Sequence, residues 1–353
     1  MKFRVNLGLL FIGTFLFYQI SKAQDAQFSQ FYPAALYVNP ALSATYTGFS
    51  VSMNHRVQWK NIGSPYSTSQ VSAINPFFRP GRTRSPYGAL GVTFNNDRTG
   101  DGILKTVGAS LNGSYDLPLA TLHHVLFGAQ IGFIQKSVNY DNLQWGSQYT
   151  PEGTIDPNAH LDVNLRNNTS TRPDLAGGVM YYFNPRRNYG RRGAYISSFV
   201  GMSVYHFNRP KSGIYEASNE RLPILYKFNA GLETKLKDRV YILPNTIVQV
   251  QDRFRQINLG LSLHYYLLDE KFYYQPASQP LIPNEIRFGM WYRIEDSFIF
   301  TVSFGNNYYS MGLSYDLNSS SLSRNYKGTG AYELSLIVTP FKPKQRVFNI
   351  PKI

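Results

Sequence analysis

Residues 49–59 read FSVSMNHRVQW, and their side chains alternate in character along the whole stretch. The even-numbered residues are all polar, and the odd-numbered ones are all apolar or aromatic except His55. Successive side chains of a β-strand point to opposite faces. The stretch therefore predicts a strand with one apolar face and one polar face.

The same alternation recurs along the chain, as strictly at 106–116 and 257–266. It is noisier at 66–74, 87–95, 124–139, 174–183, 194–206, 224–236, 240–251, 285–293, 296–305, 307–316 and 330–340. Together these segments predict about 14 strands. No long segment shows a competing helical period with suitable caps.

Segment length and composition favour strands that cross a membrane. Many of the runs match the roughly 9 to 11 residues of a tilted membrane strand, and their polar faces are rich in Gly, Ser, Asn, Gln and Thr. The chain is 16% charged and 15% aromatic, which suits a lipid-facing surface with aromatic girdles. Because every backbone group in lipid must be paired, we predict an all-β protein, an up-and-down antiparallel transmembrane β-barrel. An exported soluble β-protein is the alternative.

The first residues predict export. Residues 1–23 read MKFRVNLGLLFIGTFLFYQISKA, with a basic start, an apolar run and small residues before a cleavage position. This is the pattern of a secretory signal peptide, with cleavage expected after Ala23. The apolar run is shorter than the roughly 20 residues of a spanning helix.

Composition and motifs exclude several classes of function. The 353 residues include no cysteine, which excludes disulfides, Cys-based zinc sites and a lipid-modified cysteine. The formal charge is +14, but the basic residues form no long tract, so nucleic acid is not an expected partner. No catalytic or nucleotide-binding motif is present, and a lipase is disfavoured because alternation puts His55 on the face opposite Ser50 and Ser52. We expect no enzyme activity, cofactor or metal.

Basic residues concentrate on one predicted rim of the barrel. If the N-terminus starts in the periplasm, every second connection faces inward, and an even strand number puts both termini on that side. The basic residues of the inward connections and the C-terminal tail are candidates for docking an acidic periplasmic partner. They are Arg79, Arg82, Arg84, Arg186, Arg187, Arg191, Arg192, Lys237, Arg239, Lys342, Lys344 and Arg346. The alternative is that they are solvated turn residues or contacts to anionic lipid headgroups.

The strand count also divides the chain. Residues 24–45 form a periplasmic N-terminal segment or a plug, 46–341 the barrel, and 342–353 a basic periplasmic tail. The connections 140–173 and 207–223 are expected outside, where long loops are typical. The long stretch 267–284 counts as inward, and its role stays open.

Several segments, taken in order, resemble the PorP/SprF family of type IX secretion system outer-membrane proteins of Bacteroidetes. The resemblance begins at QDAQFSQFYPAALYVNPAL (24–42) and ends at GAYELSL (330–336). Between them it includes residues 56–59, the turn 96–100, FGAQIGFIQ (127–135), Leu222-Pro223 with Tyr226 and Gly231, and MGLSYDL (311–317). Residues 267–284 and the tail after Phe341 depart from the family pattern.

The resemblance implies a non-enzymatic barrel of the secretion machinery. Its expected partners are periplasmic ring components, membrane lipid and lipopolysaccharide, and an exported partner such as a gliding-motility adhesin with a C-terminal secretion domain. The protein would dock the ring, or assist export or surface anchoring of that partner. The alternative function is an outer-membrane channel or a transporter of hydrophobic solutes.

Overall fold

The computed structural model describes residues 25–59, 65–79, 82–100, 104–120, 122–139, 148–150, 153–156, 168–183, 196–213, 220–237, 239–267, 284–306, 308–319 and 329–341. The strands are β1 (Ser50–Gln58), β2 (Tyr66–Arg79), β3 (Arg82–Thr99), β4 (Leu104–Pro118), β5 (His123–Val138), β6 (Asn168–Phe183), β7 (Ile196–Tyr205), β8 (Leu225–Lys237), β9 (Val240–Gln251), β10 (Phe254–Tyr266), β11 (Glu285–Arg293), β12 (Ser297–Gly305), β13 (Tyr309–Asn318) and β14 (Thr329–Val338).

The 14 strands form one closed barrel. Each strand pairs antiparallel with its neighbours in sequence, and β1 pairs with β14 through a register that includes Met53 opposite Leu336. The predicted fold class, an up-and-down antiparallel barrel of about 14 strands, is confirmed. We call the end where β1 begins and β14 ends the first rim, and the opposite end the second rim.

The barrel has apolar side chains on its outer surface and polar side chains inside, the reverse of a soluble protein. On β10, Leu259, Leu261 and Leu263 are exposed on the outer surface, whereas Asn258 and His264 are buried inside. The same arrangement runs round the barrel, with large exposed apolar residues on every strand except β9. An apolar exterior around a polar interior suits a wall of lipid. In the part of the chain that the structure describes, no helix is long and apolar enough to cross a membrane.

Some strands are longer than alternation predicts. β3 begins before 87 and ends after 95, and β6 begins at Asn168 rather than 174, inside the predicted loop 140–173. On the outer face of β3 the residues change from the exposed Phe94 to the half-buried Asn96 and the exposed Arg98 towards the second rim. Backbone pairing therefore continues where the apolar face has ended, so hydropathy alone predicts strands that are too short.

The segment before β1 lies inside the barrel. It contains a short helix, α1 (Ala35–Val38), followed by a 3₁₀ helix over Pro40–Thr45. Asn39 caps the second helix, since its Oδ1 accepts a hydrogen bond from the Ala41 N–H at 2.9 Å, and Pro40 occupies the first helical position. Val38, Asn39 and Ala41 are completely buried. We call residues 25–46 the lumenal segment.

Candidate functional site

The lumenal segment connects the two rims. At the second rim, the Asp25 N–H donates to Gln251 Oε1, the last residue of β9, at 3.3 Å. At the first rim, where the segment continues into β1, the ring of Phe49 lies 6.2 Å from that of Phe341. The start and end of the barrel therefore share the first rim, whereas the first described residue of the chain lies at the second.

An ionic cluster holds Asp25 at the second rim. The Asp25 carboxylate lies 2.6 Å from His206 Nε2, and His206 Nδ1 lies 2.7 Å from Asp174 Oδ1. Burial alone would lower the pKa of His206, but the two carboxylates outweigh it and raise that pKa from 6.5 to about 10. Burial would raise the pKa of Asp25, but His206 lowers it from 3.8 to about 2. Both groups are therefore charged near neutral pH.

Charged residues of the wall hold the beginning of the lumenal segment. The Arg56 guanidinium donates to the Gln27 carbonyl at 3.0 Å and contacts Asp316 at 2.7 Å. Asp316 also accepts from Ser29 Oγ at 2.8 Å and lies 3.3 Å from Arg293. All four side chains of this network are buried, and the two guanidinium groups share the Asp316 carboxylate as their opposite charge.

Glu333 provides a second anchor for the same part of the segment. Its carboxylate accepts from the Ser29 N–H at 2.6 Å and from Asn54 Nδ2 at 2.9 Å. Its backbone carbonyl accepts from Gln30 Nε2 at 3.0 Å, and Gln30 Oε1 in turn accepts from Ser335 Oγ at 2.6 Å. The stretch QFSQ at 27–30 is thus bound by β1, β13 and β14 together.

Lys227 of β8 binds the middle of the segment. Its Nζ donates to the Tyr37 carbonyl at 2.7 Å and lies over the rings of Tyr37 and Tyr205. The Tyr205 hydroxyl donates to the Leu36 carbonyl at 2.7 Å. Because Lys227 is only 1% exposed, its Nζ contacts a carbonyl and two aromatic rings of the protein instead of bulk solvent.

Asn39 connects the segment to two neighbouring strands. Its Nδ2 donates to the Val179 carbonyl of β6 at 3.2 Å and to the Met202 carbonyl of β7 at 3.3 Å. With the Oδ1 bond to the Ala41 N–H, all three contacts of this side chain are made inside the protein. The Asn-Pro-Ala motif therefore docks through backbone carbonyls of the wall.

Glycines of three adjacent strands receive this motif. Gly128 of β5 lies opposite Gly178 of β6 in the register, and Gly201 lies on β7. A Cβ on Gly128 would overlap the Ala41 nitrogen, and one on Gly178 would overlap Asn39 Oδ1. One on Gly201 would lie 3.0 Å from Asn39 Nδ2. The absence of side chains here is what lets the segment approach the wall.

The predicted basic residues lie at the first rim where the structure describes them. Arg79 ends β2 and pairs with Arg82 of β3, whereas Lys237 ends β8 and Arg239 lies in the turn to β9. The β2–β3 and β8–β9 turns are six strands apart in a ring of 14, so these residues surround the rim rather than form one patch. The backbone of Arg84 lies in β3. Outside the described residues are Arg186, Arg187, Arg191, Arg192, Lys342, Lys344 and Arg346.

The residues that bind the lumenal segment were not among the predicted site residues. Their only signal in the sequence is a charge on the polar face of a strand, as at Arg56, Lys227 and Glu333. Such a face can line either a water-filled or a filled lumen. Among the described ranges, no group of three or more His, Asp or Glu side chains is arranged to hold a metal ion.

Comparison with known proteins adds a family and distant structural similarities. The family model described as type IX secretion system membrane protein PorP/SprF matches residues 20–338. Comparison with curated proteins gives no match. Similar solved structures include the CymD monoaromatic hydrocarbon channel, with 12% identity, 90% of this chain and 94% of that chain covered, and a TM-score of 0.44. They also include the P. putida toluene transporter TodX, with 12% identity, 86% of this chain and 92% of that chain covered, and a TM-score of 0.40. The translocator domain of autotransporter NalP from Neisseria meningitidis is similar too, with 10% identity, 86% of this chain and 92% of that chain covered, and a TM-score of 0.41.

Proposed function

Because the chain belongs to the PorP/SprF family of type IX secretion system membrane proteins, we propose that it is a non-enzymatic scaffold of that machinery. The closed barrel and the family point to the outer membrane. In this role the barrel presents binding surfaces on both sides of the membrane. It does not conduct solutes through its lumen.

The lumenal segment is the observation that carries the scaffold role. It is bound to β1, β6, β7, β8, β9, β13 and β14 by the hydrogen bonds described above, it packs on Gly128 of β5, and it extends from one rim to the other. Each buried hydrogen bond contributes about 1 kcal/mol, and charged ones contribute more. A channel or a hydrophobic-solute transporter, the alternative function, would have to release this segment before anything could pass.

The proposed orientation places the first rim in the periplasm and the second at the cell surface. The signal peptide is removed after Ala23, and the basic residues of the first rim and the tail 342–353 bind acidic surfaces of periplasmic ring components. The cations within each turn increase encounter rates with such a partner, and their positions around the rim set its orientation. At the second rim, the connections 140–173 and 207–223 meet an exported protein with a C-terminal secretion domain, such as an adhesin, and assist its export or anchoring.

Co-purification from outer membranes in mild detergent tests this function. The wild-type chain should recover periplasmic components of the secretion machinery. Replacing Arg186, Arg187, Arg191 and Arg192 with Glu should abolish that recovery while the barrel still assembles. The matched control is Arg253→Glu with Arg255→Glu, which reverses charges near the second rim and should leave recovery unchanged. Equal recovery by both sets of variants would contradict docking at the first rim.

A further inference from the structure

The wall of the barrel is incomplete at the second rim, beside β6. The ladder between β6 and β7 stops at Gly177, although β6 continues nine residues towards Asn168. The loop that follows β7 covers the edge at Leu175. The Leu175 carbonyl accepts a hydrogen bond from the Phe207 N–H at 3.1 Å, and the Leu175 N–H donates to Asn208 Oδ1 at 3.2 Å. The side chain of Asn208 thus takes the place of a neighbouring strand.

Beyond Asn208, no strand of the described ranges pairs with the edge of β6 that faces away from β5. Asn208 Nδ2 donates to the Pro173 carbonyl at 2.9 Å, and a proline has no N–H to leave unpaired at an edge. The backbone groups of alternate residues face the same edge, so Thr171 and Thr169 follow. Within the described residues neither has a partner strand on that side, and the Thr171 carbonyl receives only a 3.4 Å contact from Arg172 Nη1. Such an edge accepts an extended chain as an added strand.

A basic groove lies on the inner side of this edge. Lys136 and Arg172 line one wall, and Lys211 lines the other, with Ile134 and Leu222 as apolar contacts. Among the described residues, the side chains of Lys136, Arg172 and Lys211 make no salt bridge, and their one hydrogen bond is that of Arg172 Nη1 to the Thr171 carbonyl at 3.4 Å. Three unpaired cations in one groove favour an anionic occupant.

The groove also contains a buried hydroxyl that lacks a partner. Ser170, opposite Lys136 in the register, is 9% exposed, and its Oγ has no hydrogen bond. Arg172 Nε is likewise buried without a partner. Unsatisfied buried polar groups carry a cost of about 1–3 kcal/mol each, which a bound ligand with acceptor oxygens would remove.

We propose that this edge and groove together bind an extended acidic segment of an exported protein. The segment would add to β6 at Thr169 and Thr171, and every second side chain would point to the face of Ser170 and Arg172, where carboxylates meet the three cations. The proposal rests on the proposed function, because the second rim meets an exported protein only if it faces the cell surface. It identifies the recognised feature as an acidic strand rather than a folded surface.

Peptide binding to the full-length protein in detergent tests the proposal. The probes are two fluorescent eight-residue peptides, one alternating Glu with Val and one alternating Lys with Val. The Glu peptide should bind and the Lys peptide should not. Lys136→Glu combined with Arg172→Glu should lower the affinity for the Glu peptide by at least about tenfold and raise the affinity for the Lys peptide. The matched control Arg253→Glu should have no effect.

A second variant separates strand addition from simple anion binding. Thr171→Pro removes an N–H that faces the open edge, so it breaks no backbone bond of the barrel, but it should weaken binding of the Glu peptide by about fivefold or more. The control Thr171→Val keeps that N–H and should bind as wild type does. Both Thr171→Pro and its control lose the hydrogen bond that Thr171 Oγ1 accepts from Gln135 Nε2 at 3.2 Å, so this bond does not separate them. Unchanged binding by Thr171→Pro, or displacement of the Glu peptide by millimolar inorganic phosphate, would overturn the proposal in favour of a general anion site.

Peptide binding and recovery of secretion components can fail independently, so failure of the groove proposal can be told apart from failure of the proposed function. If no peptide binds but the protein still recovers secretion components, the groove proposal fails alone. If the Glu peptide binds as described but no secretion component is recovered, the proposed function fails and the groove remains a binding site for acidic strands.

Discussion

The Asp25 carboxylate lies 2.6 Å from the imidazole of His206, which fixes the first described residue of the chain at the second rim. From this pair the lumenal segment runs through the barrel to the first rim, where β1 begins at Ser50. The lumenal segment is therefore held at both ends and along its length.

We predict that the Asp25–His206 pair holds across a wide pH range. The pKa of His206 is raised from 6.5 to about 10, so its contribution to stability is complete below pH 6.5 and is lost as the pH rises through 10. The pKa of Asp25 is lowered from 3.8 to about 2, so its contribution is complete above pH 3.8 and is lost as the pH falls through 2. The pair should be intact from about pH 4 to about pH 9.

A spin label measures this directly, because the chain has no native cysteine. A label at Ala26→Cys should be immobile between pH 5 and pH 8 and become mobile above pH 10. Adding His206→Asn should make the label mobile at neutral pH, whereas adding His123→Asn, which lies at the first rim, should not. A change in mobility between pH 5 and pH 8 would contradict the assigned pairing.

Gly178→Ala should loosen the lumenal segment, since the added Cβ would overlap Asn39 Oδ1. We expect a loss of about 1–3 kcal/mol in the free energy of unfolding, as for overpacked interiors, measured by urea titration in detergent. The matched control is Gly177→Ala, whose Cβ would meet only the Gly128 carbonyl at 3.7 Å. Equal stability of the two variants would show that the segment does not dock on Gly178.

Arg56→Met should destabilise the protein more strongly. It removes the closest cation from Asp316, a carboxylate whose side chain is 2% exposed. Breaking a buried pair in this way costs about 3–5 kcal/mol, although Arg293 still contacts Asp316 and reduces the loss. The control Arg255→Met changes an exposed residue and should change the free energy of unfolding, measured by urea titration in detergent, by less than about 0.5 kcal/mol. A similar small shift for Arg56→Met would mean that the network does not form.

Much of the barrel could be predicted from the sequence, because the side-chain pattern of a membrane strand is visible within the strand itself. A membrane strand needs apolar side chains at every second position, and 257–266 shows that pattern without a break. The ends of strands such as β6 could not be predicted, because residues 168–173 lie beyond the apolar band while their backbones stay paired with β5. Hydropathy carries no information once both faces are polar.

The path of the lumenal segment could not be predicted either. Asn39 binds carbonyls at 179 and 202, and Ser29 binds Glu333, which are partners separated by more than a hundred residues. Alternation identifies Arg56 and Glu333 as inward-facing but does not identify what they face. The glycines at 128, 178 and 201 are equally compatible with a thin wall or an open lumen, and only the three-dimensional register brings them together around one motif.

Conductance of the purified wild-type chain in planar bilayers tests the central claim, that the lumenal segment fills the barrel, most directly. The account predicts no steady conductance from the wild type and the appearance of open steps in Gly178→Leu, which displaces Asn39 from the wall. A steady open pore in the wild-type protein would contradict the account and support a channel or transporter instead.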